Sequence, residues 1–320
     1  MSNEFVDCLL SRLRSKEVDD RRVALTELDE VLELIPVEEL LRLLADEDAP
    51  VRKLAVQALE ELGDPRAIPG ILGAATDLNQ EVALTAKTAL REFRTQAAVR
   101  PLLEGVENSD PEVRAAAIIA LRDLRSTQAL PALIKAALDQ SPVVRREAIL
   151  ALAYLQEPSA LPVFRDALID PEPEVRRIAI DALGRLDDSA VSDLVKATAD
   201  VDWQVRTQAV SRLSRFSGKQ VINTLQEALK DERWQVQKEA IESLRKIQAP
   251  VAPDLLQFLR HGIADVRIAA ATAIGEIGDN SSLLELTELL DDPDIGVQKA
   301  VAGAIKRLEV RGRAGADEQI

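Results

Sequence analysis

Pro173-Glu-Val175-Arg176-Arg-Ile-Ala179-Ile-Asp-Ala182-Leu183-Gly184 is one of several near-copies of a single phrase. Ala49-Pro-Val51-Arg52, Pro111-Glu-Val113-Arg114, Pro142-Val-Val144-Arg145 and Trp203-Gln-Val205-Arg206 open others. Each runs on as x-x-Ala-x-x-Ala-Leu, with Arg212 replacing the second Ala in the last. The arginine position recurs at Arg21, Arg52, Ala83, Arg114, Arg145, Arg176, Arg206, Gln237, Arg267 and Gln298, at intervals of 31 residues apart from two of 30. Ten units at a fixed period indicate a stacked repeat rather than separate globular domains.

Within a unit the spacing is helical. Val113, Ala117, Ile118, Leu121 and Leu124 fall three and four apart and form one face. Pro111, Pro142 and Pro173 suit a first helical turn, where no amide partner is lost, and Asp110, Ser141 and Asp202 stand in front as caps. Gly63 and Gly278 mark two stops, and Ala129-Leu-Pro131-Ala-Leu133 begins the next unit's first helix. No alternating apolar and polar run suggests a strand. The expected fold is all-α: an α-solenoid (superhelix) of about ten two-helix repeats, elongated, with one continuous aliphatic core. Residues 1–308 form this single domain and 309–320 a flexible C-terminal tail. The first unit reads as an N-terminal cap, with Asp20 in place of the usual Val and Val31-Leu-Glu-Leu-Ile35 extending its second helix.

These phrases resemble HEAT repeats, in particular the short HEAT-like type of phycobilin lyases and their relatives. The resemblance covers roughly residues 15–308. It implies a ladder in which the acid before the Val and the following Arg link successive units, interrupted here at Ala83, Gln237 and Gln298. It also implies a concave surface lined by second helices, and either a protein-binding scaffold or a lyase-like protein that binds or attaches an open-chain tetrapyrrole to a phycobiliprotein. Deoxyhypusine hydroxylase shares the repeat but needs several His-Glu pairs for iron, whereas the one histidine, His261, precedes Gly262. Repeat-built DNA glycosylases use a basic groove bearing aromatics.

Composition restricts the chemistry. The 320 residues carry 40 basic and 55 acidic side chains, a formal charge of −15, so nucleic acid is not the expected partner. One cysteine, Cys8, and one histidine argue against disulfides, iron–sulfur clusters and multi-histidine metal sites, and no cofactor is expected. No apolar run is long enough for a membrane helix, the N-terminus lacks an export pattern, and a cytoplasmic location is the expectation. Cys8 reads as a packed cap residue, His261 as a solvated turn residue, and Asp187-Asp188 and Asp291-Asp292 as helix caps.

The remaining candidates lie on the second helices. Counted from the arginine position, residues one, five and eight later share a stripe. It carries Arg22, Lys53, Arg91, Arg122, Arg146, Arg177, Lys238, Arg245, Lys299 and Lys306 against Asp29, Glu60, Asp181 and Glu242, a charge of +6 in a chain of −15. Two readings fit: a solvated mixed face, or a locally basic groove for an acidic protein surface or peptide. Position nine is acidic in the first four units (Glu30, Glu61, Glu92, Asp123), against the helix dipole. That pattern fits either a partner contact or pairing with neighbouring Arg or Lys. At position five only Ile119 and Leu150 are large aliphatics; with Ala115, Ala153 and Tyr154 they are expected to form an apolar patch rimmed by Arg122, Arg146 and Arg177, unless that face packs against a neighbouring helix. Trp203 and Trp234, 31 residues apart, hold equivalent places at the starts of consecutive second helices. They read as inter-unit packing or as a paired aromatic anchor. The function expected is a non-catalytic scaffold or adaptor for a protein partner, as a monomer or in a hetero-complex.

Overall fold

The computed structural model describes residues 3–317. Helix covers 74 % of the chain, and no strand occurs among the described residues. The chain divides into two compact units, Met1–Val163 and Phe164–Ile320.

In the first unit the second helices are Val18–Thr26, Ala49–Leu62, Gln80–Ala89, Pro111–Leu124 and Pro142–Leu155; between them lie the shorter first helices Val37–Leu43, Ile68–Ala74, Val99–Val106 and Leu130–Ala136. The second unit repeats the scheme with second helices Pro173–Leu183, Trp203–Leu213, Trp234–Lys246, Ala264–Ile277 and Ile295–Asp317. Its first helices include Val191–Ala197 and Lys219–Ala228, while that of the ninth repeat is reduced to Ala252–Leu255 followed by a 3-10 segment, Leu256–Arg260.

Local sequence explains the boundaries. Prolines stand in the first turns of Pro111–Leu124, Pro142–Leu155 and Pro173–Leu183. Asp48, Asn79, Asp110 and Asp202 accept amide hydrogen bonds at helix starts, while Ser141 makes no such side-chain bond. Gly63 ends its helix in the left-handed region, where a Cβ would be unfavourable, and Arg125 and Gln156 are forced into the same conformation in later repeats. The core is aliphatic: Val113, Ala117, Ile118 and Leu121 are buried, as are most of their equivalents along the chain. Phe93, Phe164, Phe216 and Phe258 join it.

Three local expectations change. Val31–Ile35 does not extend the first repeat's helix; that helix ends at Thr26, and Asp29–Leu34 forms a 3-10 turn that buries Val31, Leu32 and Ile35. Cys8 is exposed, because the buried stripe of the first helix is Leu9 and Leu13, one position further round. The last helix is described as far as Asp317, and 318–320 lie outside the described residues. No helix among the described residues is long and apolar enough to cross a membrane.

The third change concerns the ladder. Its arginines are those anticipated, but the acid is not the one before the Val. It is the Asp that ends the first helix of the following repeat. Arg52 binds Asp77 through Nε and Nη2 at 2.6 and 2.8 Å, and donates Nη1 to the carbonyls of Asp46 and Glu47. Arg21–Asp46 and Arg114–Asp139 match it in the first unit, and Arg176–Asp200, Arg206–Asp231 and Arg267–Asp292 in the second. Each of these acids also serves its own loop in the same way: Asp46, Asp77, Asp139, Asp200, Asp231 and Asp292 accept the amide two residues on. His261 holds the corresponding place in the ninth repeat, its Nδ1 accepting the Ile263 amide at 3.1 Å and its ring lying 6.5 Å from Phe258. It is therefore a half-buried loop residue rather than a solvated one.

Candidate functional site

In the first unit Pro111–Leu124 packs against Pro142–Leu155, which sets Ile119 and Leu150 at equivalent positions on neighbouring helices. Both are half-buried, Ala115 is fully buried, and Tyr154, one turn beyond Leu150, remains 49 % exposed. Equivalent places in the first three repeats hold the exposed polar residues Thr26, Gln57 and Thr88. Leu84, at the stripe position of the third repeat where the first two repeats carry Arg22 and Lys53, is also exposed.

A chain of charges borders this apolar strip. Arg122 places its guanidinium carbon 5.6 Å from the centre of the Tyr154 ring, a cation–π contact. Its Nη1 donates to Glu147 at 3.1 Å, and Arg146 donates Nε and Nη2 to the other Glu147 oxygen at 3.0 and 2.9 Å. On the other side Asp123 lies 3.5 Å from Arg122 and 2.5 Å from Arg91. Glu147 was not foreseen. It is 6 % exposed and fixes both arginines of the rim. Its sequence signal was an acid two residues after the ladder arginine, where Ala116 and Ile178 stand in the adjacent repeats.

The second unit holds the other candidates. Arg177 is half-buried; its Nη1 reaches Gln204 Oε1 at 3.3 Å and its Nε is buried without a hydrogen-bond partner. Trp203 and Trp234 occupy the first positions of Trp203–Leu213 and Trp234–Lys246, which pack together. Both are half-buried, and the two rings make no contact with each other.

Most stripe cations are engaged by acids that lie off the stripe. The pairs are Arg22–Asp48, Lys53–Glu81, Arg91–Asp123, Arg122–Glu147 and Arg146–Glu147 in the first unit. Lys238–Asp265 and Arg245–Glu276 are their counterparts in the second. The +6 counted along the stripe is thus flanked by carboxylates. Two of the position-nine acids, Asp123 and Glu276, are accounted for by arginines of the preceding repeat. Glu60 stands near Glu92, and burial together with that like charge holds its carboxyl above the usual range. Among the described residues no group of three or more His, Cys, Asp or Glu side chains could hold a metal ion.

The family model for HEAT repeats matches residues 6–83, 68–141, 131–213, 191–265 and 252–317. The chain belongs to the HEAT-repeat family. No curated protein matches it. Among solved structures it is similar to Kap95p from a complex with RanGDP, with 17 % identity and a TM-score of 0.65 over 96 % of this chain and 50 % of that one. It is also similar to importin beta, with 14 % identity and a TM-score of 0.61 over 96 % and 52 %. An engineered protein aligns over 95 % of this chain and 98 % of its own, with 23 % identity and a TM-score of 0.47. This HEAT-repeat chain spans about half the length of the two importin-type neighbours, and identities this low report the shared fold alone.

Proposed function

We propose that this HEAT-repeat protein is a non-catalytic scaffold that holds a protein partner on the second-helix face of repeats four and five. Ile119, Leu150 and Tyr154 supply the apolar contact, and Arg122 and Arg146 orient acidic groups of the partner's surface or peptide. Arg177, Trp203 and Trp234, in the other unit, are contact residues in their own right. The observation that carries this reading is Tyr154, half-exposed beside two half-buried aliphatics and backed by an arginine that buried Glu147 holds in place. An aromatic pre-oriented in this way loses little freedom on binding. Family membership supports the general role. The importin-type neighbour is described in complex with RanGDP, so a stack of this kind can present its helices to another protein. We assign the chain to the cytoplasm, as a monomer or in a hetero-complex.

The test compares proteins recovered from the native source by the wild-type chain and by Ile119→Asp with Leu150→Asp, quantified by mass spectrometry. Circular dichroism establishes that the variant is folded. Specific partners are expected to fall at least ~10-fold. A folded variant that recovers the same proteins in the same amounts overturns the assignment.

A further inference from the structure

The ladder is interrupted at two places inside the units, and at each both members of the rung have changed. In the first unit Ala83 stands where the arginine belongs, and the residue 25 positions on, where Asp46, Asp77 and Asp139 serve the other rungs, is Asn108. In the second unit Gln237 stands in place of the arginine, and its counterpart is His261. Neither break leaves a ladder carboxylate without its arginine, so neither is a simple defect. Asn108 keeps the local duty of the missing acid by accepting the Asp110 amide at 2.9 Å. Gln237 keeps one of the arginine's backbone bonds, to Asp231 O at 2.8 Å. What both joints lose is the link from one repeat to the next.

That link is substantial elsewhere. The six rungs described above are guanidinium–carboxylate contacts between side chains only 7–16 % exposed. Each is closed by Nη2 and, in all but Arg21–Asp46, by a second hydrogen bond from Nε. At the two gaps the ion pairs that still span the repeats are more exposed: Lys87–Glu112 and Arg91–Asp123 at one, Lys238–Asp265 and Arg245–Glu276 at the other. Solvent weakens such pairs. The helices beside the gaps are also reduced. Gln80–Ala89 has 10 residues where Ala49–Leu62 and Pro111–Leu124 have 14. It carries Lys87 at the place of the buried Val56, Ile118 and Ile149. At the other gap the first helix is Ala252–Leu255, only 4 residues, before a 3-10 segment.

We propose that the junctions between repeats three and four and between repeats eight and nine are built-in yield points, where neighbouring repeats part more readily than at any rung-bearing junction. The first lies beside the strip formed by Leu84, Ile119 and Leu150, so it would let that face adjust to what it holds. The inference stands on the ladder and not on the binding assignment.

Hydrogen exchange read by mass spectrometry on the full chain tests it. Peptides from 80–108 are expected to exchange at least ~10-fold faster than those from 49–77, and peptides from 234–261 faster than those from 203–231. Installing the missing rung with Ala83→Arg and Asn108→Asp, whose guanidinium would meet the carbonyls of Asp77 and Leu78, should slow 80–108 by ~10-fold or more and leave 234–261 unchanged. The reverse change, Arg114→Ala with Asp139→Asn, makes a neutral pair at an intact junction and should accelerate 111–139. Equal protection across all junctions in the wild type, or no slowing in a folded rung-installed protein, overturns the proposal. Should the installed rung prevent folding, the Arg114 and Asp139 variant decides, and unchanged exchange there overturns it equally.

Discussion

Replacing Arg52 by Ala and Asp77 by Asn, singly and together, tests how the rungs work. Arg52→Ala removes two bonds to the Asp77 carboxylate and two to backbone carbonyls, at 2.6–3.3 Å. It leaves Asp77, 11 % exposed, with the Asn79 amide as its remaining partner at 2.8 Å. Breaking a buried pair from one side typically costs 3–5 kcal/mol, and the residual exposure places this case at about 3 kcal/mol. Asp77→Asn leaves the guanidinium its two carbonyls and should cost ~2 kcal/mol. The double variant reproduces the Ala83 and Asn108 pair that the chain already tolerates, so it should cost no more than the larger single change. The coupling is then at least ~2 kcal/mol. Urea unfolding followed by helical circular dichroism measures all three. Single costs that add to within ~0.5 kcal/mol would refute the idea that each rung acts as one unit.

The same pair sets a pH dependence. Hydrogen bonds from Arg52, followed by the opposing cost of burial, leave the Asp77 carboxyl below its usual range, and the same bonds raise the Arg52 guanidinium. A carboxyl lowered on folding stabilises the native state above its unfolded value of about 3.9, and that contribution is lost as pH falls through the lowered value. The difference in stability between wild type and the double variant should therefore be constant near neutrality and shrink only below about pH 4.

Gly275→Ala should destabilise the second unit by ~1–3 kcal/mol. Its added Cβ would stand 2.6 Å from Ala304 Cα and 2.7 Å from Ala304 Cβ. Ala304→Gly should restore part of the loss in a thermal melt. Trp203→Ala and Trp234→Ala should each cost ~2 kcal/mol, the value for side chains half-removed from water. With no contact between the rings their effects should add, and a strongly cooperative loss would show that they pack as a pair.

The repeat and its helical faces were legible because they are local. Three- and four-residue spacings placed Val113, Ala117, Ile118 and Leu121 in the core. The ladder arginine was legible too, but its acid was not. That Asp lies 24 or 25 residues on and also serves its own loop: Asp292, read as a helix cap, accepts the Asp294 amide while Asp294 caps the helix, and its bond to Arg267 stays hidden. Val31–Ile35 failed for a similar reason. An apolar run without a breaker before Pro36 has helical spacing whether it winds as an α-helix or a 3-10 turn, and only packing decides. Cys8 and Leu9 are neighbours in sequence, and a rotation of one residue exchanges exposed for buried.

Glu147 shows why counting charges along one face overstated its field. The stripe was chosen by helical geometry, which groups Arg91, Arg122 and Arg146 and omits Asp123 and Glu147, although these acids sit within 2.5–3.5 Å of them. Paired charges at such distances act outward as dipoles, and their potential decays well within the ~8–10 Å that salt leaves to a bare charge. Arg122 and Arg146 therefore offer a partner directional hydrogen bonding more than long-range attraction. An acidic group arriving there must share the guanidinium with Glu147 or displace it, which rewards correct placement and gives little to a carboxylate that is merely nearby. On the function proposed above, the affinity of this face would rest on Ile119, Leu150 and Tyr154, whose burial is indifferent to salt, while the arginines would decide which partner fits.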